Sequence, residues 1–350
     1  MNQSMKQKPP IRVLLVDDSR VSLDILREAL LSADDLQVVG EAFNGLQAVE
    51  MVERLRPDIV CIDLDMPVMT GAEAIDEIMH RKGVPILVVS GEDDAEKAYE
   101  ALSLGALEVI RKPRFNTAET LDFINKVRLL AGVPVITRMR RKVDLPKTYE
   151  HLANIDVGPH GFRHVIAIAC STGGPQALAF LLANLESDYP APVLISQHMS
   201  DGFVDGMVQW LSGFSRIPIK VAEQGEVIVA PQVYISPSER HMTVDAAGRI
   251  RLRERQSGDI YRPCCNYLLE SVAQSFDRRA IALIMTGMGR DGASGMGQIK
   301  NAGGITLAQD EASSVIFGMN QEAINQGCID EILPLCELPH RLNQLVKGGR

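Results

Sequence analysis

The stretch IRVLLVDDSRVSLDILREALL, residues 11–31, decides the fold of the N-terminal part of the chain. A near-continuous apolar run, IRVLLV, stops at a pair of aspartates. The next segment, VSLDILREALL, carries its apolar residues at the three-to-four spacing of an amphipathic helix. The same step recurs downstream as LQVVG and LQAVEMVERL, DIVCID and AEAIDEIMH, PILVVS and AEKAYEALSL, LEVIRKP and LDFINKVRLLA. Short β-branched runs alternating with helices predict a doubly wound parallel α/β sheet, and the unbroken apolarity of the runs predicts strands covered on both faces. Ligands of such sheets sit outside the carboxyl ends of the strands, so the residues that end each run carry the interest.

Asp17 and Asp18 end the first run, Asp63 the third, Ser90 the fourth, and Lys112, followed by Pro113, the fifth. Carboxylates crowd together only at a cost unless a hard cation neutralises them, and Mg2+ held by carboxylates together with phosphate oxygens suits such a pocket. Lys112 can then pair with a phosphoryl oxygen, and Ser90 can donate to another. Aspartates at strand ends also cap helices, as Asp18 or Ser19 could before VSLDIL. Capping accounts for one residue at a time and not for the whole set at matching strand ends.

At 350 residues the chain has room for two α/β domains of roughly 100 to 200 residues each. A formal net charge of −9 and a pI near 5.4 argue against a nucleic-acid or anionic-membrane binder, since both need a basic surface. The local exception is the run Arg138, Arg140, Arg141, Lys142. The N-terminus, MNQSMKQKPP, lacks the apolar core of a signal peptide, and no apolar run reaches the roughly 18 residues of a membrane span, so a cytoplasmic protein without membrane insertion is expected. Cys61, Cys170, Cys264, Cys265, Cys328 and Cys336 form no CxxC pair, and no His stands at zinc-ligand spacing. Buried small hydrophobes are expected there rather than disulfides or a structural metal.

Residues 132–162 lose the alternating rhythm and mix Pro, Gly, His and basic residues, which reads as a linker. From His164 the alternation returns as VIAIA, a turn, QALAFLLANL, PVLIS and DGMVQWL, then a β-rich middle (IKVA, VYIS, HMTV, RIRLR), then NYLLESVAQSF, AIALIM, GMGQIKNA and GITLA. This predicts a second α/β domain with a mainly parallel sheet and no internal repeat linking it to the first. VIAIA runs directly into CSTGGP and a helix. Ser171 in that turn stands beside a helix N-terminus that favours negative charge; Gly173 and Gly174 let the backbone bend, and Pro175 suits the first helical turn. Alone, the turn reads equally as a phosphate-binding or merely tight connection, and ACSTG is not the GxSxG elbow of α/β-hydrolases. PVLISQHMS places His198 after a strand, and AIALIMTGMGRDG places Asp291 after another; singly each reads as an ordinary polar or turn residue. Together the three supply a nucleophile, a base and an orienting acid at strand carboxyl ends.

Residues 11–131, with Asp17, Asp18, Asp63, Ser90 and Lys112 at their strand ends, resemble the flavodoxin-like receiver domain of bacterial response regulators. The resemblance implies Asp63 as phospho-acceptor and Mg2+ held by Asp17, Asp18, Asp63 and the backbone carbonyl of Asp65. It further implies Ser90 and Lys112 as phosphate partners and a cis Lys112–Pro113 bond. Val109 stands three positions before the lysine, where an aromatic residue is common, which sets the aromatic switch of that family in question. Residues 163–345 resemble the protein-glutamate methylesterase domain of bacterial chemotaxis, carried by STGGP, SQHM, VYISPSERHM, TGMGRDG and FGM with DEILPL. The order receiver, linker, esterase is that family's own. This resemblance implies Ser171 as nucleophile, His198 as general base and acid, Asp291 as orienter and the Met288 backbone N–H as oxyanion donor, with no cofactor for ester hydrolysis.

The implied substrates are glutamate γ-methyl esters on methyl-accepting chemotaxis receptors, with deamidation of receptor glutamines as a second activity. The implied phosphodonor is the chemotaxis histidine kinase, and a monomer is expected. Two departures stand out. Arg262, Pro263, Cys264, Cys265, Asn266 replace the common RPSVD, and Gly318, Met319, Asn320 replace GMP. Neither is expected to touch the triad, and both are candidates to line the substrate groove. On this reading the unphosphorylated receiver restrains the esterase, and a phosphoryl group on Asp63, adding about −1.5 to −2 charges, lifts the restraint. The rival readings are a binding-only response regulator and a small-molecule esterase. A DNA-binding output is the weakest, since the C-terminal half holds too many strands for a helix-turn-helix module.

Overall fold

The computed structural model describes residues 9–91, 95–113, 117–135, 161–256 and 258–348. The chain divides into two compact units between Lys142 and Val143. Most of the expected linker, with its basic run Arg138, Arg140, Arg141, Lys142, lies outside the described residues.

The first unit alternates strictly: β1 (Ile11–Val16), α1 (Arg20–Leu31), β2 (Leu36–Ala42), α2 (Gly45–Leu55), β3 (Ile59–Ile62), α3 (Gly71–Lys82), β4 (Ile86–Ser90), α4 (Ala95–Leu104), β5 (Glu108–Arg111) and α5 (Thr117–Leu130). The sheet order is β2-β1-β3-β4-β5 with every pair parallel. Residues 13–16, 59–62 and 86–89 are each at most 2% exposed, as their unbroken apolarity requires. Alternate residues Val13, Leu15, Ile59, Cys61, Leu87 and Val89 pack with apolar residues of α1 and α5 on one face. Of the two capping options before α1, Ser19 takes the role, its hydroxyl accepting the Ser22 N–H at 3.3 Å. A reciprocal Thr70–Glu73 capping box starts α3. The strand order reverses beside β1, so the crevice opens at the carboxyl ends of β1 and β3, where Asp17 and Asp63 follow. The cis peptide bonds among the described residues are Ala230–Pro231 and Arg262–Pro263. The implied cis Lys112–Pro113 bond is not one of them; it takes the trans form that X–Pro bonds favour by about 0.5–1 kcal/mol.

The second unit runs β6 (Val165–Cys170), α6 (Gly174–Ala183), β7 (Val193–Gln197), α7 (Val204–Ser212), β8 (Ile219–Val221), β9 (Val233–Ile235), β10 (Arg240–Val244), β11 (Ile250–Glu254), α8 (Cys265–Phe276), β12 (Ala280–Ile284), α9 (Ala293–Asn301), β13 (Ile305–Gln309), α10 (Met319–Asn325), β14 (Glu331–Leu333) and α11 (Leu338–Lys347). Its sheet has the order β14-β13-β12-β6-β7-β9-β8, again with every pair parallel. The β-rich middle divides: β8 and β9 join the sheet, while β10 and β11 form a separate antiparallel pair. Phe162, at the end of the expected linker, is 1% exposed and meets Phe276 with ring centroids 6.1 Å apart, so the chain is already anchored in this core before β6 begins. From β6 the chain builds one side of the sheet and then returns to build the other from β12. The switch point therefore falls between β6 and β12.

Candidate active site

The switch point is where the second unit gathers its reactive side chains. β6 ends at Cys170 and Ser171 follows; the Ser171 N–H donates to the Thr286 carbonyl at 3.0 Å, just beyond β12. The turn then closes with the Gly174 N–H on the Ser171 carbonyl at 2.7 Å. Gly173 has φ 78, a left-handed conformation, and a Cβ there would lie 2.6 Å from that of Val315. Gly287 allows a second close approach, since a Cβ on it would lie 2.7 Å from the Ser171 Cβ. Ser171 is buried.

His198 reaches the same edge because β7 pairs with β6 in the register Cys170 to Gln197, and the His198 N–H donates to the Cys170 carbonyl at 3.0 Å. Its Nε2 lies 2.7 Å from Asp291 Oδ2, and its ring stacks on Tyr261 at 5.1 Å with a 13° interplanar angle. Asp291 is fully buried and held from several sides: the Cys265 N–H donates to Oδ2 at 2.6 Å, and the N–H groups of Asn266 and Gly292 donate to Oδ1 at 3.0 Å each. Burial pushes its carboxyl up, but the hydrogen bond and charge of His198, together with these N–H groups, outweigh it and leave the carboxyl below the ordinary value. The structure thus joins Asp291 to His198 directly and brings Ser171 beside them across adjacent strands. No hydrogen bond links the Ser171 hydroxyl to His198 among the described residues; catalytic hydrogen bonds are commonly long without substrate and tighten with it. The Met288 N–H, one residue beyond Gly287, makes no hydrogen bond among the described residues.

Several residues that sequence reasoning passed over hold this edge together. Gln197 Nε2 donates to the carbonyls of Ser171, at 2.9 Å, and His198, at 2.7 Å. The Thr286 hydroxyl donates to the Thr172 carbonyl at 2.8 Å. His241 on β10 is buried, with Nε2 2.9 Å from Asp259 Oδ2 and Nδ1 accepting the Cys264 N–H at 2.9 Å. The expectation that the Cys264-Cys265-Asn266 departure stands clear of the triad fails. These residues begin α8, and the backbone N–H groups of a helix start point at a carboxylate. Cys264 Sγ lies 3.3 Å from Asp291 Oδ1, and Cys265 Sγ lies 3.5 Å from His198 Nε2. Asn320, the other departure, does not line a groove. It is fully buried and donates to the Gln309 carbonyl at 2.8 Å.

In the first unit the strand ends converge as the spacing predicts. Lys112 Nζ lies 2.7 Å from both Asp17 Oδ2 and Asp63 Oδ2. Asp17 and Asp63 are buried and Asp18 is exposed, yet carboxylate oxygens of all three come within 4.8 Å of one another. Burial raises the Asp63 carboxyl above its ordinary value, Lys112 pulls it down, and the charge of Asp17 pushes it up again. Ser90 is fully buried and its hydroxyl has no partner among the described residues, so a donor is available at the end of β4. A hard cation fits this donor set of clustered carboxylates, and the unpaired hydroxyl with Lys112 fits a phosphoryl group. The Asp65 carboxylate is turned to Lys97 at 2.7 Å, so only its backbone carbonyl remains a candidate ligand. Val109 sits half-buried in β5.

Fold and site together define a two-domain α/β protein in which a response-regulator receiver precedes a catalytic domain of hydrolase type. Residues 13–125 match the response regulator receiver domain, and residues 166–342 match the CheB methylesterase family. The chain belongs to the CheB methylesterase family. It is 48% identical to protein-glutamate methylesterase/protein-glutamine glutaminase 3 of Paramagnetospirillum magneticum, covering 97% of this chain and 98% of that protein. Protein-glutamate methylesterase/protein-glutamine glutaminase 2 of Anaeromyxobacter dehalogenans is 38% identical over the same shares. The crystal structure of the Thermotoga maritima CheB methylesterase catalytic domain is similar to 52% of this chain and 98% of its own, at 34% identity and a TM-score of 0.51.

Proposed function

We propose that this chain hydrolyses glutamate γ-methyl esters on methyl-accepting chemotaxis receptors, under control of phosphorylation at Asp63. The observation that carries the reading is the 2.7 Å contact of His198 with buried Asp291 beside the Ser171 turn. With Nε2 committed to Asp291, Nδ1 is the nitrogen left to take the serine proton. Ser171 Oγ attacks the ester carbonyl, His198 takes its proton and passes it to the departing methanol, and water then cleaves the acyl-enzyme by the same route. The Met288 N–H stabilises the oxyanion in both steps, a contribution typically worth about a hundred- to a thousand-fold in rate. The same groups acting on a glutamine side chain release ammonia in place of methanol, giving deamidation as the second activity.

In the receiver, Asp63 accepts the phosphoryl group from the chemotaxis histidine kinase. Asp17, Asp18, Asp63 and the Asp65 carbonyl would hold Mg2+, which supplies neutralisation of the gathered negative charge. Ser90 and Lys112 hold the transferred group. The division of labour follows residues 11–131 for the receiver, 132–162 for the linker and 163–345 for the esterase. No helix among the described residues is long and apolar enough to cross a membrane; the reading takes the chain as a cytoplasmic monomer, and the net charge of −9 supports its binding no nucleic acid.

The deciding experiment measures methanol release from methylated receptor membranes, with and without phosphodonor and Mg2+. Wild type releases methanol faster with both, and Ser171→Ala releases none. Unchanged release by Ser171→Ala would leave only the binding-only reading, and equal turnover on soluble esters would leave the small-molecule esterase.

A further inference from the structure

Cys265 Sγ, His198 Nε2 and an Asp291 carboxylate oxygen lie within 4.8 Å of one another. They come from three separate stretches of chain: the start of α8, the end of β7 and the loop after β12. A thiol, an imidazole and a carboxylate meeting in a mostly buried space form the donor set of a zinc site with one open position. Metal–ligand bonds of 2.0–2.3 Å put tetrahedral ligands roughly 3.3–3.8 Å apart, and the Cys265 Sγ to His198 Nε2 separation is 3.5 Å. The His198 to Asp291 pair, at 2.7 Å, is closer than such an edge because a proton lies between them. It must open by roughly half an ångström to admit an ion. Asp291 stays anchored meanwhile by the Asn266 and Gly292 N–H groups on its other oxygen.

We propose that the start of α8 makes this catalytic site a reversible inhibitory site for a soft divalent cation such as Zn2+, bound by Cys265 Sγ, His198 Nε2 and Asp291, with water at the fourth position. The site depends on the thiol of Cys265, the first residue of α8. Sulfur and nitrogen ligands select such a cation over Mg2+, so this site and the acidic pocket of the receiver do not compete for one ion. Metal entry displaces the thiol proton from Cys265, which in the metal-free protein donates to the Ser196 carbonyl at 3.3 Å. The proton on His198 Nε2 leaves as the metal takes that lone pair, and Nδ1 carries the ring proton instead. An imidazole with Nδ1 protonated accepts nothing from Ser171, so the base is disabled without any covalent change. Cys264 points its thiol at the other oxygen of Asp291, 3.3 Å away, and is not a ligand.

Metal binding stands on this geometry alone; only its inhibitory consequence rests on the acyl-transfer reading. The test uses full-length protein freed of metal and held in excess Mg2+, which keeps the acidic pocket supplied with a hard cation. Co2+ added to wild type should give thiolate-to-cobalt absorption in the near ultraviolet, and Zn2+ should suppress ester hydrolysis at least tenfold, reversibly with a chelator. Cys265→Val should abolish the absorption and weaken zinc inhibition at least tenfold, whereas Cys264→Ser should retain both. His198→Gln tests the site through a different ligand and should weaken Co2+ binding at least tenfold. Absorption that survives Cys265→Val, or that is lost equally in Cys264→Ser, overturns the proposal. Absorption without inhibition would uphold the metal site and sink the assignment of His198 as the base.

Discussion

Asp63 and Asp291 both follow buried strands, yet their surroundings move them in opposite directions. For Asp63, burial dominates and leaves the carboxyl above its ordinary value despite Lys112. Its ionised form therefore costs the native state: the associated stability is greatest below the unfolded value and is lost as pH rises through the folded one. At neutral pH Asp63→Asn should stabilise the protein in chelator by on the order of 1 kcal/mol, a few degrees in melting midpoint. It should also reduce the rise that Mg2+ gives wild type. Thermal melts with chelator and with Mg2+ check this, and a lower midpoint for the variant in chelator would refute it. Asp291 shows the reverse balance, since burial is outweighed by His198 and the N–H groups around it. Its contribution is complete above an unfolded value of about 3.9 and is lost as pH falls from there through the lower folded value. Asp291→Asn should flatten that acid limb of the stability curve. An amide there also favours the wrong imidazole tautomer, so kcat should fall by about 10⁴ with KM little moved, as steady-state methanol release at neutral pH would report.

The β10–β11 pair and the start of α8 act as one support for Asp291, the proposed orienting acid. His241 makes that link: it bridges Asp259 and the Cys264 N–H while Tyr267 meets its ring edge-on at 5.0 Å. The next two N–H groups grip Asp291. His241→Leu leaves the part-buried Cys264 N–H without its acceptor, at about 1–3 kcal/mol of stability, while Asp259 keeps the Gln256 N–H and the Tyr267 hydroxyl. The loosened helix start should lower kcat roughly tenfold with a smaller change in KM. A variant that loses stability while keeping full kcat would show that the support is structural only. None of this was legible in the sequence, for a physical reason. Apolar runs announce strands locally, and the residue that ends a run is thereby placed at the ligand-binding edge, which is how Asp17, Asp63, Ser90, Lys112, Ser171, His198 and Asp291 could be read at all. Residues 264–266 meet 198 and 291 only through the path of the sheet, and a carboxylate held by backbone N–H groups has no side-chain signature. The same blindness hid the Cys265–His198–Asp291 cluster from a search for metal ligands at local spacing. At three residues, β14 is too short to show alternation, and α10 and α11 lie past the last recognised run.

Each domain has its own parallel sheet, and phosphorylation of the first would control the second by biasing an equilibrium between states. A phosphoryl group adds about −1.5 to −2 charges beside Lys112, which in the resting state spans Asp17 and Asp63 at 2.7 Å each. On the proposed reading the new oxygens would compete for that ammonium and offer an acceptor to the buried Ser90 hydroxyl, which has no partner among the described residues. On that reading, chemistry at Asp63 would be converted into rearrangement at the ends of β4 and β5, and with Val109 half-buried in β5 the conversion would not use an aromatic ring at that position. A ten- to hundredfold stimulation of the esterase corresponds to about 1.4–2.8 kcal/mol of coupling, within the usual range for linked sites. Asp63→Asn should keep basal hydrolysis and lose all stimulation, because no phosphoryl group is added. Ser90→Ala separates transfer from readout: it should still incorporate phosphate from a small phosphodonor but lose most of the stimulation, since the acceptor chemistry is intact and the hydroxyl that senses it is gone. Phosphate incorporation and methanol release measured on one preparation distinguish the two steps, and full stimulation in Ser90→Ala would place the switch elsewhere in the receiver.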